Sequence, residues 1–489
     1  MAGLTRRDTL LSGATNLIGA TALPLVGARA ADVVGARAAD VVGARAADVV
    51  GARAADVVGA RAADVVGARA ADLDVPTADV KAPGFKIESG ATLRVLRPAK
   101  FVDPDETLFR QNSKKFTEAT GVAVRVDFVG WEDMRPQTAV AANTGAGPDI
   151  IVGFGADPQI YADKLLPMND LADYLAAKYG GWHQLALLYS RRWGSNDWLA
   201  IPMGGSGGAS VYRMSWLKQV DYDQVPNDLE GFLAMAEKLN KAGHPIGYAL
   251  GHAVGDGNGF ADWLLWSHGA ALTDEKGKVS LDSKATIDAL NYAQQLYPHM
   301  ISGTLSWGDP SNNKAYAAGD ISLTNNGVSI YYVAKNSSDP KLQAIAADTN
   351  HQAPSLGLAK QTPQSSLVVN AMTFKHTKYP NACKEYLRFM MEAPQYAPWL
   401  AGCLGYWSNS LKAYGKMAFW NADPKLKPYI DSMDTPYYDS YAGPISAASS
   451  AVAANYTLVD MFASVATGNA TPQAAVKQAA RQAARHLKG

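Results

Sequence analysis

The sequence predicts an α/β protein made of two lobes, and three observations carry that expectation. Strand-like and helix-like patterns alternate from residue 92 onward, helical stripes continue to the C-terminus, and the chain is too long for one core. Chains split into domains beyond roughly 250–300 residues. Setting residues 1–70 aside leaves 489 − 70 = 419 residues, so two lobes are expected.

The N-terminus is read first. Thr5-Arg6-Arg7-Asp8-Thr9-Leu10-Leu11 places a twin-arginine pair before an apolar run through Ala22, Leu23, Pro24, Leu25 and Val26. That is the architecture of a secretory signal, here residues 1–30, with Ala28-Arg29-Ala30 as the first small-residue cleavage site. Residues 31–72 then repeat an octet that copies the same site, ending at Ala38, Ala46, Ala54, Ala62 and Ala70. An octet is too short to form a unit with a buried face, which takes roughly 20 residues. A flexible spacer that extends the leader is expected, with a surface segment that interacts in its own right as the alternative. The fold is therefore read from about residue 90.

Thr92 to Leu96 reads as a strand. Asp105 to Thr120 carries Leu108, Phe109 and Phe116 at helical spacing and ends at Gly121, a natural helix stop. Val122, Val124, Val126 and Phe128 alternate in a strand period. A second helix is expected from about Met134 to Asn143. Asp149-Ile150-Ile151-Val152-Gly153-Phe154 then forms a near-continuous apolar run suited to a strand covered on both faces. Asp157-Pro158 reads as the cap and first residue of another helix. This alternation argues a parallel sheet covered by helices. Further amphipathic helices are expected after Asn227-Asp228-Leu229-Glu230, over Ser283 to Tyr297, and over Pro380 to Met391.

Composition excludes several function classes. The 45 basic and 45 acidic side chains balance, and nucleic-acid binding would call for a basic surplus or patch. No apolar run after the leader approaches the ~20 residues of a membrane span. There is no H-E-x-x-H, G-x-x-x-x-G-K-[ST] or G-x-S-x-G motif. The glycine-rich Pro202 to Gly208 lacks the lysine of a phosphate loop. The eight histidines are scattered, so neither metal nor cofactor is expected. Cys383 and Cys403 read either as an export-compatible disulfide or as two buried thiols.

Phe116-Thr-Glu-Ala-Thr-Gly-Val-Ala-Val-Arg-Val126, Trp131, and Ala141-Ala-Asn-Thr-Gly-Ala-Gly-Pro-Asp-Ile150 together resemble the opening of bacterial extracellular solute-binding proteins of ABC importers. The likeness is to the sugar-binding family that includes maltodextrin-binding protein. It continues through Ala162 to Leu171, Ile201-Pro202 to Tyr212, Asp274 to Asp282, Ala317 to Ile321 and Thr467 to Ala475. The chain departs from the family at Ser365 to Asn370, where members carry a Gly-Gly stretch.

The resemblance implies two α/β lobes that close by a hinge over a solute held in the cleft. The first lobe is expected at 90–201 and 364–393, the second at 202–363 and 394–489. It further implies a periplasmic monomer that captures a sugar or oligosaccharide and passes it to ABC permease subunits, without catalysis. Ligands sit beyond strand ends in α/β sheets, which nominates Trp131, Phe154, Trp263 and Trp407 for stacking. Lys100, Asp157, Ser206, Asn258 and Asn326 are nominated for hydrogen bonding, with Gly327 beside them. Alternatives are a polyol, polyamine or other non-sugar polar solute, and a secreted carbohydrate-active enzyme working through paired carboxylates.

Overall fold

The computed structural model describes residues 73–430 and 432–487. The leader and the octet repeats lie outside the described residues. Eight strands among these residues are β1 (Thr92–Pro98), β2 (Ala123–Val129), β3 (Ile150–Phe154), β4 (Ile201–Gly207), β5 (Ala209–Arg213), β6 (Leu323–Asn326), β7 (Thr349–Gln352) and β8 (Ser366–Thr373). They build a five-stranded sheet of order β2-β1-β3-β8-β4 and a three-stranded sheet of order β6-β5-β7.

The first three strands form the expected parallel unit: β1 pairs with β2 from Thr92↔Ala123 to Pro98↔Val129, and with β3 at Val95↔Ile150 and Leu96↔Ile151. The parallel expectation fails beyond them. Strands β8 and β4 are antiparallel to their neighbours, and every pairing around β5 is antiparallel. The reason is connectivity, because only Gly208 separates β4 from β5, so one extended stretch leaves the first sheet and enters the second. The return path runs beside it, with the Gly208 N–H donating to the Ser365 carbonyl at 2.9 Å.

Local chemistry accounts for the helices that flank these strands. The Asp103–Thr120 helix has Asp103, Asp105 and Glu106 in its first turn, where the helix dipole favours acids. It stops at Gly121, whose φ of 76° suits glycine and whose N–H donates to Thr117. Asp228 accepts the Gly231 N–H to start the Leu229–Lys241 helix, and Ser283 accepts the Thr286 N–H to start Lys284–Leu296. The cap expected at Asp157 is corrected: Asp157 is itself the first residue of a single-turn helix, Asp157–Ile160, and its carboxylate accepts the Phe154 N–H instead.

Two main hydrophobic cores result. One gathers Leu93, Val95, Phe116, Ile151 and Met372; the other gathers Phe232, Leu239, Leu264, Leu290, Phe462 and Val476. A small third cluster of Val211, Tyr316, Ile321 and Ile330 lies against the second sheet.

The lobe boundaries expected from sequence shift in three places. Residues 202–207 belong to the first sheet. The segment after 394 does not enter the second lobe directly, because Leu400, Trp407, Tyr414, Trp420 and Leu426 pack in the first core. A Cβ on Gly402 would lie 2.6 Å from Leu108, so the Ala393–Gly402 helix sits hard against Asp103–Thr120. Burying rings as large as Trp407 and Trp420 is worth about 2–3 kcal/mol each, and it is the first core that takes them. The fold also begins before residue 90. Val75 is buried in the first core, and Glu88 accepts the N–H groups of Asn381 and Ala382, capping the Pro380–Met391 helix. Cys383 and Cys403 are separate buried thiols, and burial pushes Cys383 up to about 12, far from a reactive thiolate.

Candidate functional site

Two aromatic walls, one from each lobe, face each other across the interlobe cleft. In the first, Phe101 follows β1 and Trp131 follows β2, with ring centroids 5.1 Å apart, edge to face. Tyr406 completes this wall, 6.2 Å from Phe101. Behind it the indole of Trp131 stacks on Phe154 at 4.9 Å and on Trp407 at 6.4 Å, nearly parallel to the latter. The Trp131 Nε1–H donates to the Ala99 carbonyl at 2.8 Å, which fixes the ring.

The second wall rides on the Asp256–Ser267 helix. Asp256, Gly259, Phe260 and Trp263 are spaced i, i+3, i+4, i+7 and so share one face. Phe260 stacks on Tyr248 at 4.4 Å and lies 5.9 Å from Trp263. The Trp263 Nε1–H donates to the Ser355 carbonyl at 2.9 Å.

Between the walls lies a cavity of about 60 Å³. Pockets that engulf drug-sized ligands measure roughly 300–1,000 Å³, so the lobes stand close together here. Contacts across the cleft agree: the Asp309 N–H donates to the Glu132 carboxylate at 3.1 Å. A Cβ on Gly327 would stand 2.5 Å from the Ser206 hydroxyl oxygen, so the Gly327 backbone lies close against Ser206 there.

The polar part of the lining is Ser206, Ser210, Asp256, Asp309, Asn325, Asn326, Ser329 and Ser365. Asp309 organises it. Its carboxylate accepts the N–H groups of Val254, Gly255 and Asp256 at 2.7–2.9 Å, anchoring the start of the Asp256–Ser267 helix. Burial pushes Asp309 up to about 6, against the pull of those N–H groups. Burial first, and then repulsion from Asp309, push Asp256 well above the usual carboxylate range. Among the described residues no cluster of three or more His, Cys, Asp or Glu side chains could hold a metal ion.

Five of the ten residues nominated from sequence meet at this cavity: Trp131, Ser206, Trp263, Asn326 and Gly327. The other five do not line it, each for a physical reason. Lys100 points to solvent and pairs with Asp103 at 2.8 Å. Phe154 is fully buried beneath Trp131. Asp157 is buried and paired with Arg135 at 3.0 Å. Asn258 donates to the carbonyls of Val254 and Ala453, tying its helix to Ala447–Ala454. Trp407 is core, its Nε1–H donating to Asp105 at 2.9 Å. Sequence reasoning missed Phe101, Tyr248, Asp256, Phe260, Asp309, Asn325 and Tyr406. Three of these are chain neighbours of nominated residues, Phe101 of Lys100, Asn325 of Asn326 and Tyr406 of Trp407. The helical spacing from Asp256 to Trp263 was a usable signal for two more.

A family model described as bacterial extracellular solute-binding protein matches residues 111–428, well over half of the chain. The chain belongs to that family. No curated protein sequence is significantly similar to this solute-binding protein. Among solved structures similar to it is maltose-bound MalE3 of T. maritima, with a TM-score of 0.68 at 17% identity over 81% of this chain and 100% of that one. The GacH receptor of Streptomyces glaucescens GLA.O, solved unliganded and with acarbose, superposes with a TM-score of 0.66 at 17% identity, covering 81% and 99%. A D-mannitol-bound ABC transporter solute-binding protein of Agrobacterium vitis S4 gives 0.65 at 18% identity, covering 82% and 99%. At these identities the likeness shows the fold: two α/β lobes around a cleft.

Proposed function

We propose that this solute-binding protein captures a sugar or polyol between its two aromatic walls and delivers it to an ABC permease. The observation that carries this reading is the pairing of Phe101, Trp131 and Tyr406 with Tyr248, Phe260 and Trp263 around a polar strip. Ring faces cover the apolar faces of a sugar, while carboxylates and amides meet its hydroxyls. Relatives of the same fold carry maltose and D-mannitol, which supports both ligand types. The leader is expected to export the chain by the twin-arginine route to the periplasm, with the octets as a spacer, and the protein acts there as a monomer.

Catalysis is not part of this proposal. The cavity holds two carboxylates, but Asp309 is engaged by three backbone N–H groups that anchor a helix, and both acids come from the second lobe. Thermal-shift screening against sugars and polyols tests the reading. A ligand at 100 times its dissociation constant stabilises the bound fold by about 2.7 kcal/mol, a readily measured shift. A glycan panel that is turned over, or sugars and polyols that leave the melting temperature unchanged while another solute class raises it, would overturn it.

A further inference from the structure

The charge of the cavity lining is one-sided. It carries Asp256 and Asp309 and no lysine, arginine or histidine. The cations closest in sequence to the first wall are committed elsewhere, Lys100 to Asp103 and Arg135 to Asp157. A third acid, Glu132, stands at the edge, accepting the Asp309 N–H across the cleft.

Closing the lobes over two carboxylates without a counter-charge is unfavourable, because a buried charge needs a partner. The upward push on both acids reflects that mismatch. Three backbone donors take most of the roughly four acceptor sites of Asp309, whereas Asp256 has the Asn312 side chain as a partner, so Asp256 is the carboxylate more open to a ligand. A second acceptor stands ready: the Asn325 Oδ1 is buried and has no hydrogen-bond donor among the described residues. An ammonium group offers three donors and no acceptor, and the ring faces of Trp131, Phe260 and Tyr406 attract a cation.

We propose that the cavity prefers a polyhydroxylated ligand bearing a protonated amine, an amino sugar or amino polyol, whose ammonium is held by Asp256 with the Asn325 Oδ1 as second acceptor. The inference rests on the sugar-or-polyol reading above and narrows it. The aromatic walls take the carbon skeleton; the acid strip selects the charge.

Isothermal titration at pH 7 with matched pairs tests this, each amine beside its hydroxyl parent, headed by glucosamine with glucose and glucamine with sorbitol. The amine of a pair is expected to bind at least tenfold tighter. Asp256→Asn is expected to shrink that ratio below threefold, and Asp256→Glu, which keeps the charge, to preserve it. Should the Asn variant fail to fold, the ranking of the pairs on the wild-type protein still decides. Neutral parents that bind as well as their amines would overturn this inference and leave sugar or polyol capture standing. A panel in which no amine and no parent binds would overturn both.

Discussion

Of the two walls that enclose the cavity, the one built from Phe101, Trp131 and Tyr406 is backed deep into its lobe. Phe154, Trp131, Trp407 and Trp399 form a run of nearly parallel rings from the cleft into the first core. In the opposite wall, Phe260 and Trp263 ride on one helix whose first turn is fixed by the Asp309 carboxylate, and Tyr248 packs against them from the segment before it. Both walls are packed into their cores, but the second also relies on a carboxylate 53 residues from the N–H it fixes at Asp256. The first lobe therefore supplies a rigid platform. The second supplies the charge and the part most sensitive to a single polar group.

Substitutions can break that contrast from either side. Trp407→Ala removes a fully buried ring from the stack, and an unfolding free energy lower by about 4 kcal/mol is expected in denaturant titration, in the range of large-to-small core changes. Affinity should weaken only as far as Trp131 loosens. A stable variant with no binding would return Trp407 to direct ligand contact.

Asp309→Ala leaves three N–H groups without their acceptor, and a loss on the order of 3 kcal/mol is expected, together with loss of ligand binding as Phe260 and Trp263 drift. A variant that keeps its stability would show that water replaces the carboxylate and that packing alone holds the second wall.

A smaller effect concerns pH. The folded-state values of Asp256 and Asp309 are raised above their unfolded ones, so the folded protein holds more protons through the window from about 4 to 6 and beyond. Their contribution to stability therefore falls as pH rises. The difference in unfolding free energy between the wild type and Asp256→Asn should move in favour of the variant from pH 4 to 7. A flat difference curve would mean that the Asp256 carboxyl is hydrated in solution rather than buried beside Asp309.

The smallest expected effect is at Lys100. Its ion pair with Asp103 is solvent-exposed, and such pairs contribute about 0–1 kcal/mol. Lys100→Ala should change neither melting temperature nor affinity measurably; a tenfold loss of affinity would mean that the lysine swings into the cleft.

What could be read from the sequence follows the range of the forces involved. The β1–β3 unit was legible because Gly121, Gly145 and the apolar period of Ile150 to Val152 act within a few residues. The antiparallel turn of β4 and β8 was not, since it follows from how the chain crosses between lobes. Nor was the place of Trp399 to Leu426, because nothing near those residues says which core receives them. At the site, Trp131 was legible as a large ring just past a strand, and Trp263 as one of two tryptophans three apart on a helix. Asp256 was hidden in Gly255-Asp256-Gly257-Asn258-Gly259, a stretch whose three glycines disfavour a helix until Asp309 anchors it. Lys100 and Trp407 missed the cleft by one residue each, as side chains on consecutive residues of a strand or loop point different ways.

A crystal structure with the sugar or polyol that most raises the melting temperature tests capture between the walls most directly. The expected result is ligand density between Trp131 and Trp263, with polar contacts to Asp256 and Asn325 and the Glu132–Asp309 contact closed. Density at any other surface, or a cleft that stays open with the ligand bound to one lobe alone, would contradict it.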